Sequence, residues 1–288
     1  MKYITTTLFA CFVIFATATD ILSQEPTFAN VPYVKDGGER QQLDIYLPKN
    51  YQEEEKLPVL VWIHGGGWTT GDKKDMPGKF FINRGYACIS VNYRLSQQAV
   101  FPAQIEDCKG AIRWLRANAQ TYHLDPDRIG VWGASAGGHL SALLGVTNNK
   151  KEFDVGENLE HSSTVQAVCD IFGPTDFTAI FAADAFSVIT SLLGGPVSEK
   201  RELAVKASPI THITKEAPPY LILHGSEDRL VPVTQSTRFY DMLKKADVDA
   251  EIVVVKGAGH DVGVFMTLES LRKTMAFFDK NVKNAKAR

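Results

Sequence analysis

Residues 128–144 read RIGVWGASAGGHLSALL, with Ser135 near the centre. A β-like run (Ile129, Val131, Trp132) leads into Gly133-Ala134-Ser135-Ala136-Gly137, and an amphipathic run carrying Leu140, Leu143 and Leu144 leads out. Strand, sharp turn and helix in that order are the setting in which Gly-x-Ser-x-Gly becomes a nucleophile elbow. The glycines answer crowding: the turn forces Ser135 into strained backbone, and side chains at 133 or 137 would collide with the neighbouring strand and helix. Gly138 relieves the same crowding. Ser135 Oγ is then expected above the sheet, beside a helix N-terminus whose dipole favours a developing anion. Alone, the pentapeptide reads equally well as an ordinary Gly-rich turn. Its partners decide.

A serine hydroxyl is a poor nucleophile at neutral pH, so it needs a base, and the base needs an orienting carboxylate. In an open α/β sheet these groups belong at the C-terminal ends of strands. The apolar run Tyr220-Leu221-Ile222-Leu223 leads to His224-Gly225-Ser226-Glu227-Asp228, and Glu251 to Val255 leads to Gly257-Ala258-Gly259-His260. Ser135, Asp228 and His260 therefore follow three strands, in the chain order Ser, Asp, His. Glu227 competes with its neighbour for the carboxylate role, and the His-Gly-x-x-Asp spacing favours Asp228. Upstream, Leu57 to Ile63 is nearly all apolar, as a strand buried on both faces would be, and runs into His64-Gly65-Gly66-Gly67-Trp68. Three successive glycines cost backbone entropy, so bare backbone is needed there, and amide N–H groups within reach of an oxyanion would supply the need. His64 reads as a hydrogen-bonder holding that loop, His139 as structural, and Asp107 with Arg94 as an ion pair or helix-face charges.

Around these stretches, strands and helices alternate. An Asp36-Gly37 turn between Phe28 and Leu47 predicts an antiparallel hairpin, Asp75 to Arg84 a helix closed by Gly85, and Pro102 to Tyr122 an amphipathic helix. The expected fold is α/β: a mostly parallel, doubly wound sheet with an N-terminal antiparallel hairpin. Phe177 to Pro218 breaks the rhythm and reads as a small cap over the strand ends.

The chain of 288 residues is 44% hydrophobic and 22% charged, with a formal charge of -2. There is no basic footprint for nucleic acid and no Lys/Arg cluster for an anionic membrane surface. Lys2, the apolar run from Leu8 to Ala16 and the small residues Ala16-Thr17-Ala18 read as a secretory signal peptide, cleaved after Ala18 or nearer Gln24. Residues 1–24 are thus expected to be removed on export to a periplasm or medium, leaving one catalytic domain at 25–288. Lipidation at Cys11 is disfavoured because the apolar run continues past it. Cys88, Cys108 and Cys169 then remain; three is odd, none has a ligand partner at metal spacing, and buried thiols are the default reading.

HGGGW at 64–68, VNYRL at 91–95, FPAQIEDCKGAIRWL at 101–115, GASAGG at 133–138, HGSED at 224–228 and GAGH at 257–260 together resemble the α/β-hydrolase esterase/lipase family. The branch most resembled holds secreted carboxylesterases and feruloyl and acetyl-xylan esterase-like enzymes. The resemblance spans about residues 30 to 280 and implies an α/β-hydrolase fold. It implies Ser135 as nucleophile, His260 as general base then acid, and Asp228 as the orienter of the imidazole. An oxyanion hole would combine the N–H of Gly66 or Gly67, or both, with that of Ala136. No metal or cofactor is implied, and the partner is a small-molecule or polysaccharide-linked ester. Relatives with a larger N-terminal cap take bulky lipids; the short segment before this hairpin points to small or exposed esters. Two other readings stay open: a serine peptidase or arylformamidase-like amidase with the same triad, and a non-catalytic binding protein on a hydrolase scaffold.

Overall fold

The computed structural model describes residues 24–52, 54–179, 187–261 and 263–285. Residues 1–23 of the expected signal peptide, Cys11 among them, lie outside the described residues, and Gln24 lies within them. Eight strands form one sheet: β1 (Phe28–Pro32), β2 (Gln42–Tyr46), β3 (Leu57–Ile63), β4 (Ala87–Val91), β5 (Leu124–Ala134), β6 (Ala167–Ile171), β7 (Tyr220–Gly225) and β8 (Ala250–Val255). Their order is β1-β2-β4-β3-β5-β6-β7-β8. The β1–β2 hairpin is antiparallel and joins β4 antiparallel, whereas β4, β3, β5, β6, β7 and β8 run parallel.

All seven residues of β3 are buried, yet residue parity still divides them between two cores. Val59, Val61 and Ile63 point to one face, with Ile129 and Val131 of β5; Leu60 and Trp62 point to the other, with Trp132. The first face is covered by α1 (Ala103–Ala117), α2 (Ala136–Val146) and, past α3 (Ser187–Leu193) and α4 (Arg201–Ala207), by α5 (Thr234–Lys245). The second is covered by two 3-10 segments, the short α6 (Gly263–Met266) and α7 (Leu268–Phe278). Helices on both faces of a mostly parallel sheet give the doubly wound α/β arrangement expected from the alternation of elements, with the antiparallel hairpin at its edge, and agree with the α/β-hydrolase fold that the resemblance implies.

The predicted helix at 75–84 is absent. In its place stand 3-10 segments at Lys73–Asp75 and Lys79–Arg84, separated by Met76, Pro77 and Gly78. Pro77 has no N–H to donate to a helical ladder, so the chain turns there instead of continuing as a helix, and Gly78 leaves room for the Trp132 indole, which a side chain at 78 would strike. Gly85 does close the second segment, with φ +81°. The helix predicted from Pro102 to Tyr122 ends earlier, at Ala117. Of the cap segment, α3 and α4 are helical and residues 180–186 lie outside the described residues. Among the described residues no helix is long and apolar enough to cross a membrane.

Candidate active site

β5 ends at Ala134, and Ser135 follows with φ 56° and ψ -117°, a left-handed backbone that a β-carbon makes costly. The strain is held from both sides. Ser135 N–H donates to the Ile171 carbonyl of β6 at 2.9 Å, and Ser135 O accepts from His139 N–H at 2.9 Å. A side chain at Gly137 would strike the Ile63 carbonyl of β3, and one at Gly133 would meet the Gly137 backbone at 2.5 Å. The glycine spacing is therefore a packing requirement of helix against strand, as the sequence predicts.

The loops after β5, β7 and β8 bring three side chains into line. His260 Nε2 lies 2.9 Å from Ser135 Oγ, and His260 Nδ1 lies 2.6 Å from Asp228 Oδ2. Since a carboxylate only accepts, Nδ1 carries the proton and Nε2 is left as the acceptor for the serine hydroxyl. Asp228 Oδ1 accepts N–H from Leu230 at 2.9 Å and Val231 at 2.8 Å. Burial alone would raise the Asp228 pKa. Hydrogen bonds from His224, His260 and the Val231 N–H outweigh it and hold the carboxyl well below the usual range. Between Glu227 and Asp228, it is Asp228 that reaches the imidazole.

His224 was not expected in this role. Its Nδ1 faces Ser236 Oγ at 2.7 Å, and its Nε2 donates to the Val231 carbonyl at 2.8 Å and lies 3.3 Å from Asp228 Oδ2. It fixes the turn whose N–H groups hold Asp228. The His-Gly-x-x-Asp spacing carried the signal, read there only as a marker for the acid.

The glycine loop runs beside the serine. Gly66 and Gly67 have φ of +102° and +59°, and both line a cavity of about 680 Å³ with Ser135 and His260. Its lining joins apolar side chains, Phe172, Val188, Ile189 and Leu230 among them, with the polar Thr69, Thr70, Asp75 and Asp261. Ala136 is the first residue of α2, directly after the serine.

His64 and His139 hold the loop from behind. Trp68 Nε1 donates to His139 Nδ1 at 3.2 Å, and His139 Nε2 donates to the Ala207 carbonyl at 2.7 Å, tying the loop to α4. Burial lowers the pKa of each imidazole to about 4. Arg94 meets Asp107 through Nε and Nη2 at 2.9 and 2.8 Å, the ion pair anticipated from sequence. Cys88, Cys108 and Cys169 are buried free thiols. Among the described residues no group of three or more His, Cys, Asp or Glu side chains is placed to hold a metal ion.

A serine, an imidazole and a buried carboxylate in hydrogen-bonded sequence can pass a proton from hydroxyl to ring while the carboxylate steadies the imidazolium. The BD-FAE family model matches residues 43–243, a span holding the glycine loop, the serine elbow and Asp228. The chain belongs to the BD-FAE family. This BD-FAE chain is 37% identical over 215 residues to the probable carboxylic ester hydrolase LipM of Mycobacterium tuberculosis, covering 72% of this chain and 50% of that one. It spans about half the length of the curated relatives it matches. Among solved structures, a truncated form of a carbohydrate esterase from gut microbiota superposes with TM-score 0.81 at 34% identity, covering 89% of this chain and 96% of the other. Butyrate-bound esterase 2 of Thermogutta terrifontis gives 0.69 at 26%, covering 83% and 87%.

Proposed function

We propose that the protein is an exported serine carboxylic-ester hydrolase acting through an acyl-enzyme on short-chain or polysaccharide-linked esters such as acetyl and feruloyl groups. The observation that carries the reading is the imidazole of His260, bridging Ser135 Oγ and Asp228 beside a loop of bare backbone amides.

Ser135 Oγ attacks the ester carbonyl carbon as its proton moves to His260 Nε2. The carbonyl oxygen becomes an oxyanion received by N–H groups of Gly66, Gly67 and Ala136, the last at the positive end of α2. Collapse breaks the bond to the alcohol oxygen, which leaves with the proton from His260. Water then gives a proton to His260 and attacks the acyl carbon, and the acid departs as Ser135 regains its proton. The names of the relatives support an ester as substrate, and the carbohydrate esterase and butyrate-bound neighbours support sugar-linked and short acyl groups. The lead of residues 1–24 supports export.

Initial rates on p-nitrophenyl acetate, butyrate and octanoate, methyl ferulate and acetylated xylan, with Ser135→Ala as control, test the reading. Turnover by wild type and none by Ser135→Ala is expected, and the chain-length profile sizes the acyl site. Hydrolysis of matched amides without hydrolysis of esters would overturn it in favour of an amidase. Binding of esters without turnover would leave a binding protein.

A further inference from the structure

We propose that Arg40 is a positioning residue for the glycine loop, acting through His64 to set the direction of the Gly66 N–H; the inference rests on reading that N–H as an oxyanion donor. Arg40 lies between β1 and β2, far from the serine in sequence, and its guanidinium reaches behind the loop. Its Nη2 donates to His64 Nε2 at 2.8 Å, its Nη1 to the Gly71 carbonyl at 3.0 Å and its Nε to the Tyr93 carbonyl at 3.2 Å. It thus grips both ends of the segment 64–71.

A guanidinium cannot accept, so Nε2 of His64 must be the unprotonated nitrogen and Nδ1 must carry the hydrogen. Nδ1 sits 2.7 Å from the carbonyl oxygen of Gly65 and donates to it. A trans peptide is planar with C=O and N–H opposed, so fixing the Gly65 oxygen fixes the Gly66 N–H on the opposite side. The next peptide is held in the same manner. Gly66 O accepts from the N–H groups of Thr69 and Thr70, each at 3.0 Å, and from their hydroxyls at 3.2 and 3.1 Å, which directs the Gly67 N–H. Among the described residues neither of these glycine N–H groups meets a protein acceptor, so both are free for a substrate oxygen.

The other tautomer of His64 would turn a lone pair on Gly65 O and release the peptide. Arg40 excludes it. The groups facing the ring are Arg40 from the hairpin, Asp72 beyond Gly71, and Tyr93 from the loop after β4, which stacks on it at 4.4 Å and donates its hydroxyl to His64 O at 3.0 Å. Burial and the Arg40 charge keep the imidazole neutral against the pull of the Gly65 carbonyl and of Asp72.

Arg40→Met should lower kcat on p-nitrophenyl butyrate about tenfold or more with KM changed by less than about twofold, because the lost interaction belongs to the transition state. Removing Arg40 leaves Asp72 as the charge facing the ring, so the imidazolium forms at higher pH than in wild type. An imidazolium carries hydrogen on both nitrogens and donates to Gly65 O again. The ratio of variant to wild-type kcat should therefore rise as pH falls from about 8 to about 5, the ratio removing whatever pH dependence the two proteins share. Arg40→Lys should retain more kcat than Arg40→Met. Nitrogen-15 spectra of the imidazoles, with the His64 signal identified by its loss in His64→Gln, should show hydrogen on Nδ1 in wild type and averaging of tautomers in Arg40→Met. A wild-type ring protonated on Nε2 overturns the proposal. So does a kcat ratio flat across pH with only the melting temperature lowered. If the wild type hydrolyses no ester, the ester reading fails, and the ring spectra still decide whether Arg40 sets the His64 tautomer.

Discussion

Asp228 is ionised although its side chain is fully buried, because donors converge on both oxygens: two backbone N–H groups on one, His260 and His224 on the other. Asp228→Asn keeps the size and loses the acceptor pair. Its amide can turn an N–H toward His260 Nδ1 and so favour the tautomer with hydrogen on Nε2, where the serine proton must go. We expect kcat on p-nitrophenyl butyrate to fall about 10³- to 10⁴-fold with the fold retained, checked by steady-state rates beside circular dichroism. An undiminished kcat would mean that Asp228 neither orients nor steadies the imidazole. At this scale the sequence was informative about residue type and order, since Ser135, Asp228 and His260 each follow an apolar strand. It was less so for adjacent acids. Glu227 and Asp228 differ by one position, and what separates them is the turn that aims the N–H groups of Leu230 and Val231 at one carboxylate. His224 and Arg40 act through other residues: the His-Gly-x-x-Asp spacing contains His224 but marks the acid, and no local pattern announces Arg40 as part of a site.

The contact of α2 with β3 depends on a missing β-carbon at position 137. Gly137 lies against the Ile63 carbonyl, a backbone atom that cannot turn aside as a side-chain end can. Gly137→Ala should cost about 3 kcal/mol in urea unfolding, and kcat should fall with it because Ser135 sits at the start of the displaced helix. Gly38→Ala, where an added carbon meets nothing within 4 Å, should cost less than about 1 kcal/mol and serves as the comparison. Equal costs at the two positions would sink the crowding argument. Strands were legible because buried parallel strands are nearly continuous apolar runs between turn residues. The segment 73–84 was not. Its charged and apolar residues alternate plausibly for a helix, but the helix breaks at Pro77-Gly78, a turn signal that the periodicity passes over, and Trp132 packs against position 78 only in the folded chain.

Across the whole molecule, buried titratable groups give stability a pH dependence with opposing parts. His64 and His139 are buried neutral, with pKa lowered to about 4 from 6.5. Their contribution is fully present above about pH 6.5 and is lost as pH falls through about 4, worth about 3 kcal/mol each at most. Asp170 runs the other way. Burial raises its pKa to about 7, outweighing the hydrogen bond from the Gly173 N–H, so its contribution is full below its unfolded value of 3.8 and is lost as pH rises through about 7. Urea unfolding of Asp170→Asn should therefore show a steeper gain in stability from about pH 4 to about pH 6.5 than wild type, and no decline toward about pH 7. Identical profiles would mean that Asp170 does not titrate in that range. The fold as a whole was legible in the alternation of elements. The cavity was not, because its apolar lining joins Phe172 after β6, Val188 of α3 and Leu230 after β7, positions that no periodicity connects.

Cys88, Cys108 and Cys169 are each buried, and burial raises the pKa of all three thiols above the free value. A thiol held protonated and out of solvent is a poor target for maleimides and iodoacetamides. A cysteine placed on the surface, at exposed Leu268 for instance, would be far more reactive than any thiol among the described residues. The folded domain can thus carry one dye, spin label or surface tether at a chosen position without removal of its native cysteines.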